Sequence, residues 1–240
     1  MENNPSARPM HSIGLWFSIS LIISSLILGF ALSRLHATQP FVDVKGLAER
    51  EVAADLARWK INFSLAANDW SVLQKNIAKQ TNTIVQFLHK EGLSNDEIVK
   101  QIPTIRDYEA ERRYREEEQK NRYKANLCVT VLSRNIPAVQ AAVLKAGTLL
   151  KQGILINFRD NDYDPDLEFS FTKLNDIKPA MIREATLNAR KAADQFAQDS
   201  GSKVGNIRHA RQGQFSITAT ERPAIKKVRV VTNIRYTLSK

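Results

Sequence analysis

Residues 58–65 read RWKINFSL, and this short stretch decides the fold class. Its four apolar residues alternate with Arg, Lys, Asn and Ser, which is the period of two expected of a β-strand with one buried face. The same alternation recurs at residues 123–131, 167–172 and 228–238. Four half-buried strands predict an antiparallel sheet with one face open to solvent.

Segments in which apolar residues recur at helical spacing follow the first three of these strands. The helices are expected to end at Gly92, at Gly147 or Gly153, and at Gly201, because glycine adopts the left-handed conformation of a C-cap at little cost. The predicted buried stripes of the three helices are Trp70, Leu73, Ile77, Ile84 and Leu88; Ile136, Val139, Val143, Ala146 and Leu150; and Met181, Ala185, Ala189, Ala192 and Phe196.

Shorter strands are predicted at 41–45, 98–108, 154–159 and 204–212, each near one of the long strands. The order of elements predicts an α+β fold built from three ββα units and closed by a last pair of strands. In this fold the amphipathic helices pack against an antiparallel sheet.

An uncharged segment at 13–32, IGLWFSISLIISSLILGFAL, precedes this domain. At about 1.5 Å per residue a helix of this length spans about 30 Å, the thickness of the hydrocarbon core of a bilayer. It predicts a transmembrane anchor or a signal segment. Gly-Phe-Ala at 29–31 has the small-x-small pattern of a signal-peptide cleavage site, so removal of the segment by cleavage is the alternative to an anchor. The chain then divides into a short tail at 1–12, the anchor or signal segment, a linker at 33–40 and a domain at 41–240.

The net charge of the chain, +10 from 35 basic and 25 acidic residues, belongs almost entirely to that domain. Beyond Ala37 there are 33 basic and 24 acidic residues, a net charge of about +9. A short tail before a single apolar segment is typical of exported proteins, so this charge is expected to face lipid headgroups, anionic glycans or proteins outside the cytoplasm. The cations are spread along every predicted element and do not gather beside aromatic residues, which predicts no nucleic-acid partner.

Four stretches of the domain resemble the SIMPL-domain family of bacterial envelope proteins, which includes periplasmic immunogenic proteins. The resemblance covers residues 41–238, and its most specific part is 189–207, where an Ala-rich helix with Arg190 and Lys191 runs into a glycine-containing turn and a strand. The four stretches are FVDVKGLAEREVAADLARWKINFSL, HKEGLSNDEIVKQIPTI, EATLNARKAADQFAQDSGSKVGNI and VRVVTNIRYTLS.

The resemblance implies a periplasmic protein that self-associates and supports resistance to oxidative stress, with no catalytic residues to carry over. Its expected location is the periplasmic side of the inner membrane, held by 13–32, or the soluble periplasm after signal cleavage. The residues themselves agree with a non-enzymatic protein without a cofactor, since none of the known nucleophile, phosphate-loop or zinc motifs is present. The alternative function is an envelope binding module for a membrane protein or a small ligand.

Two sets of residues are candidates for binding. Asp160, Asp162 and Asp164 alternate as at the start of a calcium loop, although Pro165 stands where such a loop needs glycine, so a plain turn and a weak cation site both stay open. The charged stretch 106–122 is either a solvated hairpin tip or an oligomer contact. The contact residues would be Tyr108, Tyr114, Arg112 and Arg113.

Cys128 is the single cysteine, so no intrachain disulfide can form. Strand alternation places it on the polar face, beside Asn126 and Thr130. A free thiol there is either buried and inert or exposed and able to cross-link two chains.

Overall fold

The computed structural model describes residues 11–35, 40–110, 120–157 and 166–239, with the side chains of the first helix described at 16–30. The fold is mixed α+β, as the sequence predicts. The described chain forms two compact units, each treated below by itself. Unit 1 comprises Met1–Lys45, Ala189–Arg211 and Asn233–Lys240, and unit 2 comprises Gly46–Asn188 and Gln212–Thr232.

Three times along the chain, strands are followed by a helix. The helices are α1 His11–Leu35, α2 Trp70–Lys90, α3 Ile136–Lys145, α4 Gly147–Lys151 and α5 Leu174–Asp199, with a 3-10 turn at Asn95–Glu97. The strands are β1 Phe41–Ala53, β2 Leu56–Ala67, β3 Ile98–Lys100, β4 Thr104–Asp107, β5 Tyr123–Ser133, β6 Ile156–Asn157, β7 Leu167–Ser170, β8 Lys203–Gln212, β9 Ser216–Ala219 and β10 Ile225–Ser239.

Unit 2 contains a six-stranded antiparallel sheet in the order β3-β5-β2-β6, in which β4 also pairs with β5 and β7 also pairs with β2. The central ladder joins β2 to β5 and runs from Ala57 opposite Ser133 to Ala67 opposite Tyr123. The predicted strand at 98–108 is split into β3 and β4.

The core of unit 2 lies between this sheet and helices α2 and α3. Trp59, Ile61 and Phe63 of β2 are buried there together with Leu88 of α2 and Val139 of α3. Full burial of such a side chain contributes about 1.5–3 kcal/mol to stability, so the alternation within residues 58–65 is the main local reason that β2 packs with this face inward.

The second sheet has the order β1-β10-β8, with β9 paired to β10 and with β8 at an edge. In unit 1, Val44, Ile234 and Tyr236 of this sheet pack against Ala189 and Ala193 of α5. Alanine has a small side chain, so a helix backbone that presents it can lie close to a sheet.

In unit 2, the preceding part of the same helix and sheet forms a separate cluster. Met181 and Ala185 of α5 pack there against Ala48, Val228 and Val230.

The predicted helical stripes are right in the middle of the helices, and the errors fall near helix ends. Met181, Ala185 and Ala189 are fully buried as expected, whereas Phe196 is 59% exposed because α5 turns Ala193 and Ala197 inward instead. Leu150 is exposed and Leu149 is buried, because the helix restarts at Gly147 and changes its phase. Trp70 is exposed at the first residue of α2.

Three glycines end helices as predicted. Gly92, Gly153 and Gly201 have φ values of 88°, 79° and 64°, in the left-handed region that L-residues with a side chain rarely adopt. The structure thereby selects Gly153 over Gly147 as the stop after α4.

Every described side chain of α1, from residue 16 to residue 30, is exposed. Within the part of the chain that the structure describes, no helix reaches the apolar length that crossing a membrane requires.

The carboxylate of Glu97 ties the 3-10 turn to the end of β5. It accepts hydrogen bonds from the Ser133 hydroxyl, from the Ser94 backbone N–H at 2.8 Å and from the Ser94 hydroxyl at 3.0 Å. The Ser133 hydrogen bond, followed by that of the Ser94 backbone, lowers the pKa of Glu97 from its ordinary value of 4.5. A depressed folded-state pKa means that the ionised form stabilises the fold.

We expect Glu97→Gln to lower the free energy of unfolding by about 1–2 kcal/mol at neutral pH, because hydrogen bonds to a charged acceptor are lost. The wild-type contribution is complete above the unfolded-state pKa and disappears as the pH falls through the lower folded-state pKa. Urea unfolding of both proteins at neutral pH and at a series of acidic pH values will show the difference shrinking with acid. Asp96→Asn, an exposed change in the same turn, is the matched control; an equal effect of the two changes at neutral pH would contradict the assignment.

Candidate functional site

The strands of unit 1 gather positive charge on their exposed side. Residues 41–45, 203–211 and 233–239 contain five Lys or Arg residues and one acidic residue, whereas the helical part of the unit, 189–199, has two of each sign. The apolar side of these strands is buried against α5, so the charges project from the opposite side or from the edge strand β8. We call the set Lys45, Lys203, Arg208, His209, Arg211 and Arg235 the basic face.

Arg235 is neutralised by the single acidic residue of these strands. Its Nε and Nη2 atoms donate to Oδ1 and Oδ2 of Asp43, both at 2.8 Å, and its guanidinium lies 4.2 Å from the centre of the Phe41 ring. The hydrogen bonds from Arg235 lower the pKa of Asp43, and the positive charges of Arg235 and His209 lower it further. The same pairing raises the pKa of Arg235.

The other cations of the basic face have no such partner within the described residues. No carboxylate in that part of the chain lies within ion-pair distance of Lys45, Arg208 or Arg211, and all three are exposed. A surface cavity of about 500 Å³ opens between Asp43, Arg208, His209, Asn233 and Arg235. Guanidinium, imidazole and amide N–H groups around one cavity are donors suited to phosphate or carboxylate oxygens.

Arg190 connects α5 to the first residues of β8. Its guanidinium donates to the carbonyl oxygens of Gly205 at 3.1 Å and Val204 at 3.2 Å, and to Asp194 Oδ1 at 3.1 Å. It also lies 5.2 Å from the ring centre of Tyr236, whose pKa is raised by burial. The most specific stretch of the sequence resemblance therefore contains an arginine that holds helix and strand together inside unit 1.

Gly205 is required by the close approach of β8 to β10. A Cβ atom at this position would collide with Oγ1 of Thr237 and would lie 3.2 Å from the Thr237 carbonyl oxygen. The Thr237 hydroxyl also donates to the carbonyl oxygen of Asn206 at 3.3 Å, which holds it beside Gly205. The glycine of the motif thus sets the spacing of the two strands that bear most of the basic face.

Of the predicted contact residues, the structure describes Tyr108, and Tyr114, Arg112 and Arg113 lie outside the described residues. Tyr108 is half-buried and donates its backbone N–H to the carbonyl oxygen of Arg122 at 2.8 Å. Arg122 also pairs with Asp107 at 3.1 Å, and its hydrogen bonds lower the pKa of that carboxyl group. The described ends of the charged stretch therefore form the base of a hairpin between β4 and β5.

The candidate cation ligands Asp160, Asp162 and Asp164 lie outside the described residues. Asp166, the last of the alternating aspartates, is only 2% exposed and accepts a hydrogen bond from Asn62 Nδ2 at 2.6 Å. Its carbonyl oxygen accepts from the Lys60 N–H at 2.6 Å, so it joins the start of β7 to β2. In the described ranges, no group of three or more His, Cys, Asp or Glu residues is placed to hold a metal ion.

Cys128 lies on the polar side of β5, opposite Asn62 in the central ladder. Its Sγ is 3.6 Å from Thr130 Oγ1, and the residue is half-buried, between the two alternatives drawn from the sequence.

A second cavity, of about 240 Å³, lies in unit 2 between α2 and the interruption that separates β3 from β4. The apolar lining comes from Phe63, Ile77, Leu127 and Val129, and Lys100 stands among the polar lining residues. Neither cavity was predicted, because residues that are far apart in the sequence line each one.

The repeated strands and helices, with an Ala-rich helix joined to a glycine-bearing strand, define an α+β domain of the type the sequence resembles. The sequence model of the SIMPL family, described as "Protein of unknown function (DUF541)", matches residues 42–233. The chain therefore belongs to the SIMPL family, and the resemblance is confirmed. No curated protein matches the chain.

We expect Gly205→Ala to destabilise the protein by about 1–3 kcal/mol, because the added methyl group overpacks against Thr237. Thr237→Ala in the same chain removes the colliding hydroxyl and should restore most of the loss. Urea unfolding of the wild type, both single variants and the double variant gives the coupling between the two positions.

Gly147→Ala is the matched control for this cycle, since nothing lies within 4 Å of a Cβ atom at that position and its φ is not in the left-handed region. Additive effects of the changes at 205 and 237 would show that the collision does not decide the spacing of the strands.

Proposed function

We propose that the chain is a non-enzymatic protein of the bacterial envelope, held in the inner membrane by residues 13–32, with its SIMPL domain on the periplasmic side. The observation that carries the proposal is α1, whose described side chains at 16–30 make up fifteen of the twenty uncharged residues at 13–32. These side chains are all exposed and none is charged, which suits a lipid environment and is costly in water.

Two serine side chains of α1 are compatible with hydrocarbon. The Ser20 hydroxyl donates to the carbonyl oxygen of Phe17 at 2.8 Å, and the Ser25 hydroxyl donates to that of Ile22 at 2.9 Å. In a bilayer each polar group must find a partner within the protein, and these serines find theirs one turn back along the same helix.

The proposal includes self-association of the domain, for which exposed apolar side chains give support. Leu144 is 87% exposed and Leu155 is 69% exposed, and Leu150 between them is also exposed. Leucines exposed within twelve residues of one another favour a surface that another copy covers. The role in oxidative-stress resistance that the family resemblance implies remains a prediction of that resemblance.

We expect the wild-type chain to stay in the membrane pellet during carbonate extraction. Ile22→Arg with Leu26→Arg should release it or block its insertion, because each arginine near the centre of a spanning helix costs about 2.5–3.5 kcal/mol. Ile22→Ala with Leu26→Ala is the matched control, which keeps the segment uncharged. Immunoblotting of pellet and supernatant measures the distribution.

Extraction of the wild-type chain by carbonate would contradict the anchor. A mature N-terminus that begins after residue 31 would replace it with the soluble periplasmic form. Light scattering of the full chain in mild detergent gives the number of copies, and a single copy would remove self-association from the proposal.

The second candidate function is a binding module for a small ligand, and the cavity of about 240 Å³ under α2 favours it. The lining combines apolar walls with Lys100 and several uncharged polar side chains, which suits a compact molecule that has an aliphatic body and an anionic group. The volume is enough for about ten heavy atoms at the packing density of protein interiors.

We expect octanoate, used as the probe for this cavity, to give saturable binding in calorimetry of the full chain in detergent. Ile77→Trp should abolish the binding because the indole fills the cavity. Leu187→Trp adds the same side chain at an exposed site that belongs to neither the cavity nor the proposed self-association surface, and it is the control. Binding that persists in Ile77→Trp, or no saturable binding to the wild type, would rule the module out for this class of ligand.

A further inference from the structure

We infer that the basic face of unit 1 docks on the anionic phospholipid headgroups of the membrane that holds the anchor. The inference rests on the proposed anchor at 13–32 and adds to it a second, electrostatic contact between the domain and the same membrane. Its partner is the lipid surface itself.

The length of the linker is the first argument. Residues 33–40 number eight, and although 33–35 continue α1 in the structure, eight residues would reach at most about 29 Å even if all were extended. Phe41, where β1 begins, therefore cannot be farther than about 30 Å from the end of the anchor. Asp43 and Lys45 follow it at once, so the basic face belongs to the part of the domain that is tethered most closely to the headgroups.

The balance of charge is the second argument. Arg235 is matched by Asp43, and the remaining cations, Lys45, Lys203, Arg208 and Arg211, have no carboxylate within ion-pair distance in the described residues. An anionic leaflet attracts such residues when they lie within about one Debye length of its surface. The surface cavity beside Arg208 and His209 can admit a phosphate group to these donors.

Exposed apolar side chains favour a lipid surface over a soluble polyanion. Phe41 is 44% exposed and Ile207 is 51% exposed on the same strands that bear the cations. Protein segments that bind at membrane interfaces combine basic side chains with aromatic or aliphatic ones, because the apolar groups insert between the lipid headgroups. Phe41 and Ile207 give the basic face this combination. A soluble polyanion offers no apolar phase into which these two side chains could insert.

The test uses the full chain reconstituted in lipid nanodiscs, with amide hydrogen exchange of residues 203–211 as the readout. In zwitterionic nanodiscs the free edge of β8 should exchange freely. With about one third phosphatidylglycerol, a face that is docked for four fifths of the time should exchange about fivefold more slowly. This protection should be lost at about 0.5 M NaCl, where the Debye length falls to a few ångströms.

Two variants test whether the protection depends on the charge of the basic face or only on the net charge of the domain. Arg208→Gln with Arg211→Gln should lose the protection in anionic nanodiscs. Lys173→Gln with Lys191→Gln removes the same amount of charge at exposed positions outside the basic face. This control variant should retain the protection of residues 203–211 from exchange. Thermal unfolding of both variants shows that each remains folded, and the comparison of lipids on the wild-type chain is independent of either variant.

The outcomes distinguish this inference from the proposal on which it rests. Carbonate extraction of the wild-type chain overturns both. A chain that stays anchored but exchanges at the same rate in the two lipids overturns the docking alone. Equal protection in zwitterionic nanodiscs on addition of a soluble polyphosphate would assign the face to soluble polyanions and would also overturn it.

Discussion

The antiparallel ladder between β2 and β5 is the constraint on which the larger sheet depends. Each of the other four strands of that sheet pairs with one of these two. A shift of the ladder by a single residue would turn Trp59, Ile61 and Phe63 to the polar side and would expose the whole core face. The apolar face of β2 therefore fixes its own register and, through it, the position of every strand in unit 2 that pairs with the ladder.

In unit 1 the corresponding constraint is the close packing of small residues. Ala189 and Ala193 let α5 lie close to the sheet, Gly205 lets β8 lie close to β10, and Arg190 fastens the helix to the β8 backbone. Because α5 covers one side of these strands, the charged side chains are left on the other. The packing of α5 against the sheet thus explains both the small residues of the family motif and the exposure of the basic face.

The sequence predicts the parts of this structure that follow from local periodicity. The alternation in β2 and β5, the left-handed glycines and the buried run of Met181, Ala185 and Ala189 could be read directly, because each is fixed within a few residues. Phe196 and Leu150 could not, since their exposure depends on how a helix turns or restarts at its end.

The basic face could not be predicted either. Along the chain the cations look evenly spread, and only the pairing order β1-β10-β8 brings 41–45, 203–211 and 233–239 onto neighbouring strands. The absence of apolar alternation in β8 was the available signal, because beyond Gly205 every residue of this strand is exposed. The need for glycine at position 205 could not be predicted either, because the residue that a side chain there would collide with, Thr237, lies in another strand.

The position of β8 at the edge of its sheet has a consequence for solubility. An exposed edge strand offers unpaired backbone groups to any other chain, and proteins guard such edges with charged side chains. Lys203, Arg208 and Arg211 give β8 this protection, because two copies brought together along the edge would repel each other. Growth of an aggregate by strand addition is therefore opposed at the one strand of unit 1 that is most open to it.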